Sequence, residues 1–515
     1  MQLLKEHWGY SSFRPRQQGI VESILAKRDT AVVMPTGGGK SLCYQLPAVA
    51  SGRTAVVISP LIALMRDQTA GLRQIGISAA FLNSTLDFAA LAEIQRRAEK
   101  GEYTLLYFSP ERLIRDDTLA WLGRIPLAFF AIDEAHCISE WGHEFRPEYR
   151  QLRVLRDRFP AIPIAAFTAS ATSRVRHDIV AQLGLRDPTK IALSFHRPNL
   201  RYFVHQYPKS ALDLLALAME HYSEGNIIVY APTIKRVEET VSTLASRGLP
   251  ALAYHGQMGP QARDRNQELW MIGEKRILVG TLAFGLGINK PDVRAVIHLA
   301  LPKSVEQYYQ EAGRAGRDGQ SADCVLLWRK ADAGLLVHFI QEIQERGERE
   351  RAWERYRAIR DFAENRKCRH RQICLHFGET PKWERCGVCD VCGAGLEWLS
   401  APPPGDRPAA SGAEFRAPSR KAEPPATSVP NLPSARADPN IRDATNLRDA
   451  LKKWRLAEAK AQSVPAYVIL HDSTLEELCH RRPRSIAGLL EVPGIGERKA
   501  QRFGPKILEV IAESG

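Results

Sequence analysis

The sequence has no apolar run approaching the ~20 residues that a membrane-spanning helix needs, so an integral membrane role finds no support in its 515 residues. Its opening, Met1-Gln2-Leu3-Leu4-Lys5-Glu6-His7-Trp8, mixes charge early and lacks the apolar centre of a secretory signal. Cysteine is sparse at nine residues, too few for a disulfide scaffold in a chain of this length. Five of those nine fall between 368 and 392, which points to a metal in a reducing compartment. Acidic residues are outnumbered: 58 Asp and Glu stand against 71 Lys and Arg, a formal net charge of +13. That balance suggests a polyanionic partner, nucleic acid before others. A soluble, intracellular protein is the expectation.

The chain is too long for one core and divides by composition. Short apolar runs rich in β-branched and aromatic residues (31–34, 55–58, 105–108 and 129–132) read as buried parallel strands separated by amphipathic helices. The pattern restarts at 226–230, 276–279 and 295–298. Two doubly wound α/β lobes follow, over 1–200 and 201–333. A charged helical segment then leads into the cysteine cluster, giving a module over 334–395. Residues 396–441, rich in Pro, Ala, Ser and Arg, read as a flexible linker. Residues 442–515 resume helical periodicity and form a small all-α domain.

The first apolar run leads into Pro35-Thr36-Gly37-Gly38-Gly39-Lys40-Ser41 and then a helix. Glycines there let backbone amides converge on phosphate oxygens, and the helix start adds positive potential. Lys40 would reach the β- and γ-phosphates of a nucleoside triphosphate, while the Ser41 hydroxyl would hold magnesium. Met34 stands where the generic pattern begins with Gly, so the first turn must differ. Phe129-Phe130-Ala131-Ile132-Asp133-Glu134-Ala135-His136 ends an apolar strand in two carboxylates. Asp133 would share the magnesium, and Glu134 would orient and deprotonate the attacking water.

Asp-Glu-Ala-His together with Gly-Gly-Gly-Lys-Ser resembles the superfamily-2 helicases. Phe13-Arg14-Pro15-Arg16-Gln17 ahead of the phosphate loop narrows the resemblance to the RecQ family. That resemblance implies two RecA-like lobes around ATP, with Gln17 and Arg14 reading the adenine edge and Tyr10 stacking on its ring. Gln307 to Gly319 contains Gly313-Arg314-Ala315-Gly316-Arg317 and resembles helicase motif VI. Arg314 and Arg317 are implied to meet the γ-phosphate across the cleft, Arg317 as the arginine finger. Thr168 to Thr172 resembles motif III, Gly280 to Pro291 motif V with Thr281 and Asn289 toward DNA, and Ser194 to Leu200 the inter-lobe linker.

Cys137 to Tyr149 gathers Trp141, His143, Phe145 and Arg146 in one loop and resembles the RecQ aromatic-rich loop. Loop aromatics can stack on unpaired bases at ~1–3 kcal/mol each. Ser59 to Met65, Asn83-Ser84 and Ser109 to Arg112 resemble motifs Ia through Ib, which grip phosphates without reading sequence.

Cys386, Cys389 and Cys392 supply three thiols at two-residue gaps, and Cys368, Cys374, His370 or His376 could supply a fourth. The RecQ zinc module opens on Cys-Arg, matching Cys368-Arg369, so the resemblance implies Cys368, with Cys374 in reserve. The ligand set alone suits structural zinc or an iron–sulfur cluster. The family commonly adds a winged helix next, but 400–440 is too short and too polar for one. The tail from Leu447 resembles the helicase-and-RNase-D C-terminal (HRDC) domain. Its Val492-Pro493-Gly494-Ile495-Gly496-Glu497-Arg498-Lys499 either cradles a phosphate or simply turns between helices. The resemblance as a whole implies a monomeric helicase moving 3′ to 5′ on single-stranded DNA and opening branched DNA in replication, recombination and repair. Single-strand-binding and repair proteins would be its partners. Its place would be the cytoplasm with the nucleoid in a bacterium, or the nucleus in a eukaryote.

Overall fold

The computed structural model describes residues 1–83, 86–207, 210–281, 290–400, 439–462, 464 and 466–513. Most of the linker expected over 396–441 lies outside them. The first few residues of that range do not: Leu396 and Trp398, around the short helix Glu397–Ser400, are buried against the second lobe.

In the first lobe, β1 (Thr30–Val33), β2 (Thr54–Ile58), β3 (Ala79–Leu82), β4 (Leu105–Phe108), β5 (Leu127–Ile132), β6 (Ile164–Thr168) and β7 (Thr189–Ala192) form one sheet in the order β3-β4-β2-β5-β6-β1-β7. The pairings are parallel. Helices cover both faces, so β2 and β4 are buried along their whole length. This is why their sequence is a continuous apolar run rather than an alternation. The second lobe repeats the plan with β8 (Leu200–Gln206), β9 (Asn226–Tyr230), β10 (Ala251–Tyr254), β11 (Ile277–Gly280), β12 (Val293–His298) and β13 (Ala322–Trp328), ordered β10-β11-β9-β12-β13-β8. Strand order reverses between β2 and β5 in the first lobe and between β9 and β12 in the second, and in such sheets ligands settle at the carboxyl ends near the switch.

Helices Lys330–Gln341, Arg346–Glu364 and Arg369–His376 carry the cysteine module. It packs on the inter-lobe linker. Phe377 stacks on Phe195 at 4.3 Å, His370 Nε2 donates to the Arg197 carbonyl at 3.0 Å, and Glu379 accepts from the Phe195 amide and the Ser194 hydroxyl. Among the described residues, the terminal domain gathers five helices around Leu451, Leu478, Phe503 and Ile507.

That terminal domain is docked on both lobes. Its buried Arg455 donates to Asp472, whose other oxygen accepts from Lys290 of the second lobe at 3.1 Å. Gln462 accepts from Gln74 of the first lobe, and Arg498 pairs with Glu6 at 3.4 Å. The Gly494–Gly496 turn presses backbone to backbone on the first helix of the chain: a Cβ on Gly9 would lie 2.7 Å from the Ile495 carbonyl carbon. Of the two readings of that turn, the structure displays the packing one.

Candidate functional site

The phosphate loop leaves β1 and wraps Gly37 (φ 82°) and Gly39 (φ 84°) into the left-handed region before helix Lys40–Ser51 begins. Glycine takes that conformation without the Cβ clash other residues meet. Lys40 and Ser41 therefore sit in the helix's first turn, where its amides point outward. Lys40 Nζ lies 3.4 Å from Glu134 Oε1, so the phosphate-loop cation and the strand-end carboxylate form an ion pair.

Asp133 and Glu134 follow β5, next to β1's neighbour in the sheet. Asp133 is held through its amide, which donates to the Ile58 carbonyl, and through its carbonyl, which accepts from the Tyr149 hydroxyl at 3.0 Å. Glu134 adopts φ 47°, a strained setting for a residue with a Cβ. Burial first, and the Glu134 charge second, push the Asp133 carboxyl up to about 6. Burial also opposes ionisation of Glu134, but Lys40 and His136 outweigh it and hold its carboxyl below the usual range. Two adjacent carboxyls are thus driven apart in acidity by their different neighbours.

Motif VI reaches this loop from the second lobe. Thr36 Oγ1 donates to the Gly313 carbonyl at 3.0 Å, and the Gly37 Cα faces the Arg317 side chain, whose Cγ would stand 3.4 Å from an added Cβ. Arg197 ties both sides: its Nη1 donates to the Thr36 carbonyl, and its Nη2 to the Ala315 and Gly316 carbonyls at 3.1 and 2.9 Å. Burial, then Arg314 and Arg197, lower the Arg317 guanidinium to about 9. Cations crowded in a buried place favour an anion among them. The sequence pointed to Arg314 and Arg317. Arg197 lies within the linker stretch Ser194 to Leu200, and no local pattern there marks it as spanning the cleft.

Gln17 faces the loop rather than open solvent: its Nε2 donates to the Gly38 and Gly39 carbonyls, and its Oε1 accepts from the Arg14 amide. Arg14 also donates to the Gly37 carbonyl. Tyr10 stands 41% exposed nearby in sequence. Gln17 and Arg14, two of the three residues expected around adenine, therefore brace the phosphate loop itself.

His136 ties the Glu134 carboxylate to its surroundings. Its Nδ1 meets Thr168 Oγ1 at 3.0 Å and Glu134 Oε2 at 3.4 Å, and its ring stacks on His143 at 4.6 Å with a 7° tilt. Ser170 of motif III accepts from Gln310 of the second lobe at 2.9 Å. In the aromatic loop, Arg146 donates to the Pro60 carbonyl at 3.3 Å and Phe145 lies 5.8 Å from the Arg150 guanidinium. Trp141 lies under Arg174. Thr281 follows β11, with its amide donating to the Tyr254 carbonyl. Asn289 and Ser84 fall outside the described residues.

The sulfurs of Cys368, Cys386, Cys389 and Cys392 all lie within 4.8 Å of one another. Cys374, the reserve, is buried in helix Arg369–His376 away from them, as the helical turn between 368 and 374 requires. Four converging thiols fit a closed, structural tetrathiolate site.

Comparison with known proteins agrees with this geometry. Models of the DEAD/DEAH box helicase, the helicase conserved C-terminal domain, the RecQ zinc-binding module and the HRDC domain match residues 14–179, 209–319, 330–393 and 444–511. The chain is 40% identical over 395 residues to the ATP-dependent DNA helicase RecQ of Haemophilus influenzae, covering 76% of this chain and 63% of that one. It is 38% identical over 392 residues to that of Bacillus subtilis, covering 76% and 66%. The chain thus spans a little under two thirds of the length of these relatives. Among solved structures, the DEAD-box helicase Mss116 bound to single-stranded RNA aligns at TM-score 0.52 with 20% identity over 65% of this chain and 73% of that one. Dbp5 of S. cerevisiae bound to RNA aligns at 0.53 with 17% identity over 70% and 91%. These two share the paired-lobe fold. With the zinc-binding module and tail domain matched in order behind both lobes, the chain belongs to the RecQ family of helicases.

Proposed function

We propose that this chain hydrolyses ATP to travel 3′ to 5′ along single-stranded DNA and to open duplex and branched DNA in replication, recombination and repair. The observation that carries the reading is the composite site. The phosphate loop of one lobe is bridged by Arg197 to the backbone of motif VI, which delivers Arg317. Hydrolysis that needs both halves makes lobe closure part of the chemistry.

On this reading Lys40 releases Glu134 to bind the β- and γ-phosphates, which leaves Glu134 to take the proton of the attacking water. Arg317 balances charge that develops on the γ-phosphoryl group, a contribution of ~10³ to 10⁵ where it has been measured in GTPases. Ser41 and Asp133 would hold magnesium, which neutralises phosphate charge when bound. Gln17 and Arg14 would turn from the loop carbonyls to the adenine edge, with Tyr10 on the ring. The strand would run past Arg146, Phe145, Trp141, His143, Thr281 and Asn289, held through its phosphates and stacked bases.

DNA rather than RNA is favoured by the zinc module and by relatives named as DNA helicases. Action as a monomer, cooperation with single-strand-binding and repair proteins, and a place with the nucleoid or in the nucleus belong to the same proposal. The test is ATP turnover by the zinc-loaded protein with oligo-dT, oligo-rU or neither, beside unwinding of 3′- and 5′-tailed duplexes. Stimulation by DNA and opening of 3′-tailed substrates are expected, both abolished by Lys40→Ala. Turnover indifferent to DNA, or preferring RNA, would overturn the reading; opening of 5′-tailed duplexes alone would overturn its polarity.

A further inference from the structure

The aromatic loop is not loose in this structure. The Arg174 guanidinium lies over the Trp141 ring at 3.0 Å from its centroid, and the Arg351 guanidinium stands 5.5 Å from the same centroid. The two arginines come from different parts of the molecule. Arg174 opens helix Ser173–Leu183, directly after motif III, whereas Arg351 sits on helix Arg346–Glu364 of the zinc-bearing module. Arg351 also pairs with Glu140, the residue before Trp141, at 3.5 Å, and is steadied by Glu345 and Glu348. Glu140 is gripped from its other oxygen by Arg150 at 2.8 Å.

The loop so held leads straight to the hydrolytic group. Two residues beyond Trp141, the His143 ring stacks on His136, and His136 pairs with Glu134. A ring face covered by a guanidinium cannot accept a nucleobase at the same time. Guanidinium groups are also strong phosphate ligands, so a nucleic-acid strand offers these arginines an alternative partner while offering the ring an alternative stack.

We propose that Arg174 and Arg351 are positioning residues that latch the aromatic loop in its DNA-free setting. Single-stranded DNA then stimulates ATP turnover partly by exchanging these guanidiniums for phosphate and the ring's cover for a base. The inference rests on the DNA-dependent reading above and adds to it a brake, one half of which is supplied by the zinc-bearing module. Loss of the latch frees the His143 stack on His136 without DNA, so the resting enzyme runs faster.

The experiment measures ATP turnover by the full zinc-loaded chain across an oligo-dT titration for Arg174→Ala, Arg351→Ala and Arg351→Lys. Each alanine variant is expected to raise DNA-free turnover about three- to tenfold and to lower the half-stimulating oligo-dT concentration similarly, the range one cation–π contact supports. Turnover at saturating DNA stays within about twofold of the parent, since the contact is absent in that state. Arg351→Lys keeps the pairing with Glu140 but not the planar stack, and falls between. In a Trp141→Ala background, Arg174→Ala adds nothing further, because its contact with the loop is that ring, whereas Arg351→Ala retains the part of its effect that runs through Glu140. A merely structural role would instead lower free and saturated rates together and reduce bound zinc. Exposed Arg174 keeps the test open should Arg351→Ala fold poorly. DNA-free turnover and half-stimulating concentration both matching the parent would overturn the latch while leaving the helicase reading intact. A parent enzyme indifferent to DNA would sink both.

Discussion

The chain carries two glycine-rich turns that each open a helix beside cations. Pro35 to Lys40 opens Lys40–Ser51, and Pro493 to Lys499 opens Glu497–Glu513. Both use glycine at positive φ, 82° and 84° at Gly37 and Gly39, 91° at Gly494. Their surroundings differ in kind. The first turn is approached by side chains that can rotate away, Gln17, Arg317 and the Lys40–Glu134 pair. The second meets the Thr474 side chain of its own domain at Gly494, but across the seam it is approached by main chain: the Glu6 and His7 backbone lies against Gly496, and the Ile495 backbone against Gly9. A phosphate can displace a side chain at little cost, but it cannot displace a packed helix without undocking a domain. Amides at a helix start are therefore a capacity, and the neighbours decide whether it is available.

The largest effect should come from the first turn's partners. Arg317→Ala is expected to reduce ATP turnover by about 10³-fold or more, with nucleotide binding retained, as read by parallel turnover and fluorescent-nucleotide titration. A loss under tenfold would mean that the second lobe contributes no charge to hydrolysis and that the first turn works alone. Asp133 supplies a subtler measure. With its carboxyl pushed up to about 6 by burial and by Glu134, it takes up a proton as pH falls through that value and loses its affinity for a cation. At limiting magnesium, turnover should decline below about pH 6, and added magnesium should shift that decline downward. A profile flat from pH 7 to 5 at limiting magnesium would show that Asp133 does not hold the metal.

Much of this site could be read before any coordinates. Continuous apolar runs marked β2, β4, β5 and β9, because strands buried on both faces leave no room for polar alternation. The edge strand β7, with partly exposed residues throughout, and β10 gave no such signal. Lys40, Ser41, Asp133 and Glu134 were legible because local geometry dictates their neighbours. Cys368 over Cys374 was legible through a family pattern that helical phase supports. Arg197, Arg174 and Arg351 were not, since each acts by reaching another domain, and nothing in a charged residue's own neighbourhood announces that. The even choice at Gly494–Gly496 had the same cause: the deciding contact is with residues 6–9, nearly the whole chain away.

The second turn yields a smaller effect. Gly496→Val forces a side chain into the Glu6 carbonyl, and over-packing of this kind costs about 1–3 kcal/mol. The terminal domain should then leave the lobes far more often, seen as faster protease cleavage at the seam between domain and lobes and a larger radius of gyration. The domain's own helices, built around Phe503 and Ile507, should persist by circular dichroism. If the seat is what closes the turn, this variant should also bind short oligo-dT more tightly through the tail, a gain that Arg498→Ala removes. Unchanged protease sensitivity would place the grip elsewhere, in Lys290–Asp472.

Arg498→Ala probes the same seat at its rim and should do least. The Arg498–Glu6 pair is about half exposed on the arginine side, 50% against 24% for Glu6. Exposed pairs contribute about 0.2–1 kcal/mol and fade as salt screens them. Docking, followed by protease protection, should weaken no more than about fivefold at low salt, and parent and variant should converge as ionic strength rises. Gly496→Val should keep its deficit at every salt concentration, because sterics are not screened. Convergence for one substitution and persistence for the other would separate charge from shape as the force that holds the second turn shut. A salt-sensitive Gly496→Val would mean instead that the phosphate-ready amides are masked mainly by electrostatics, and that the two turns differ less than their backbones suggest.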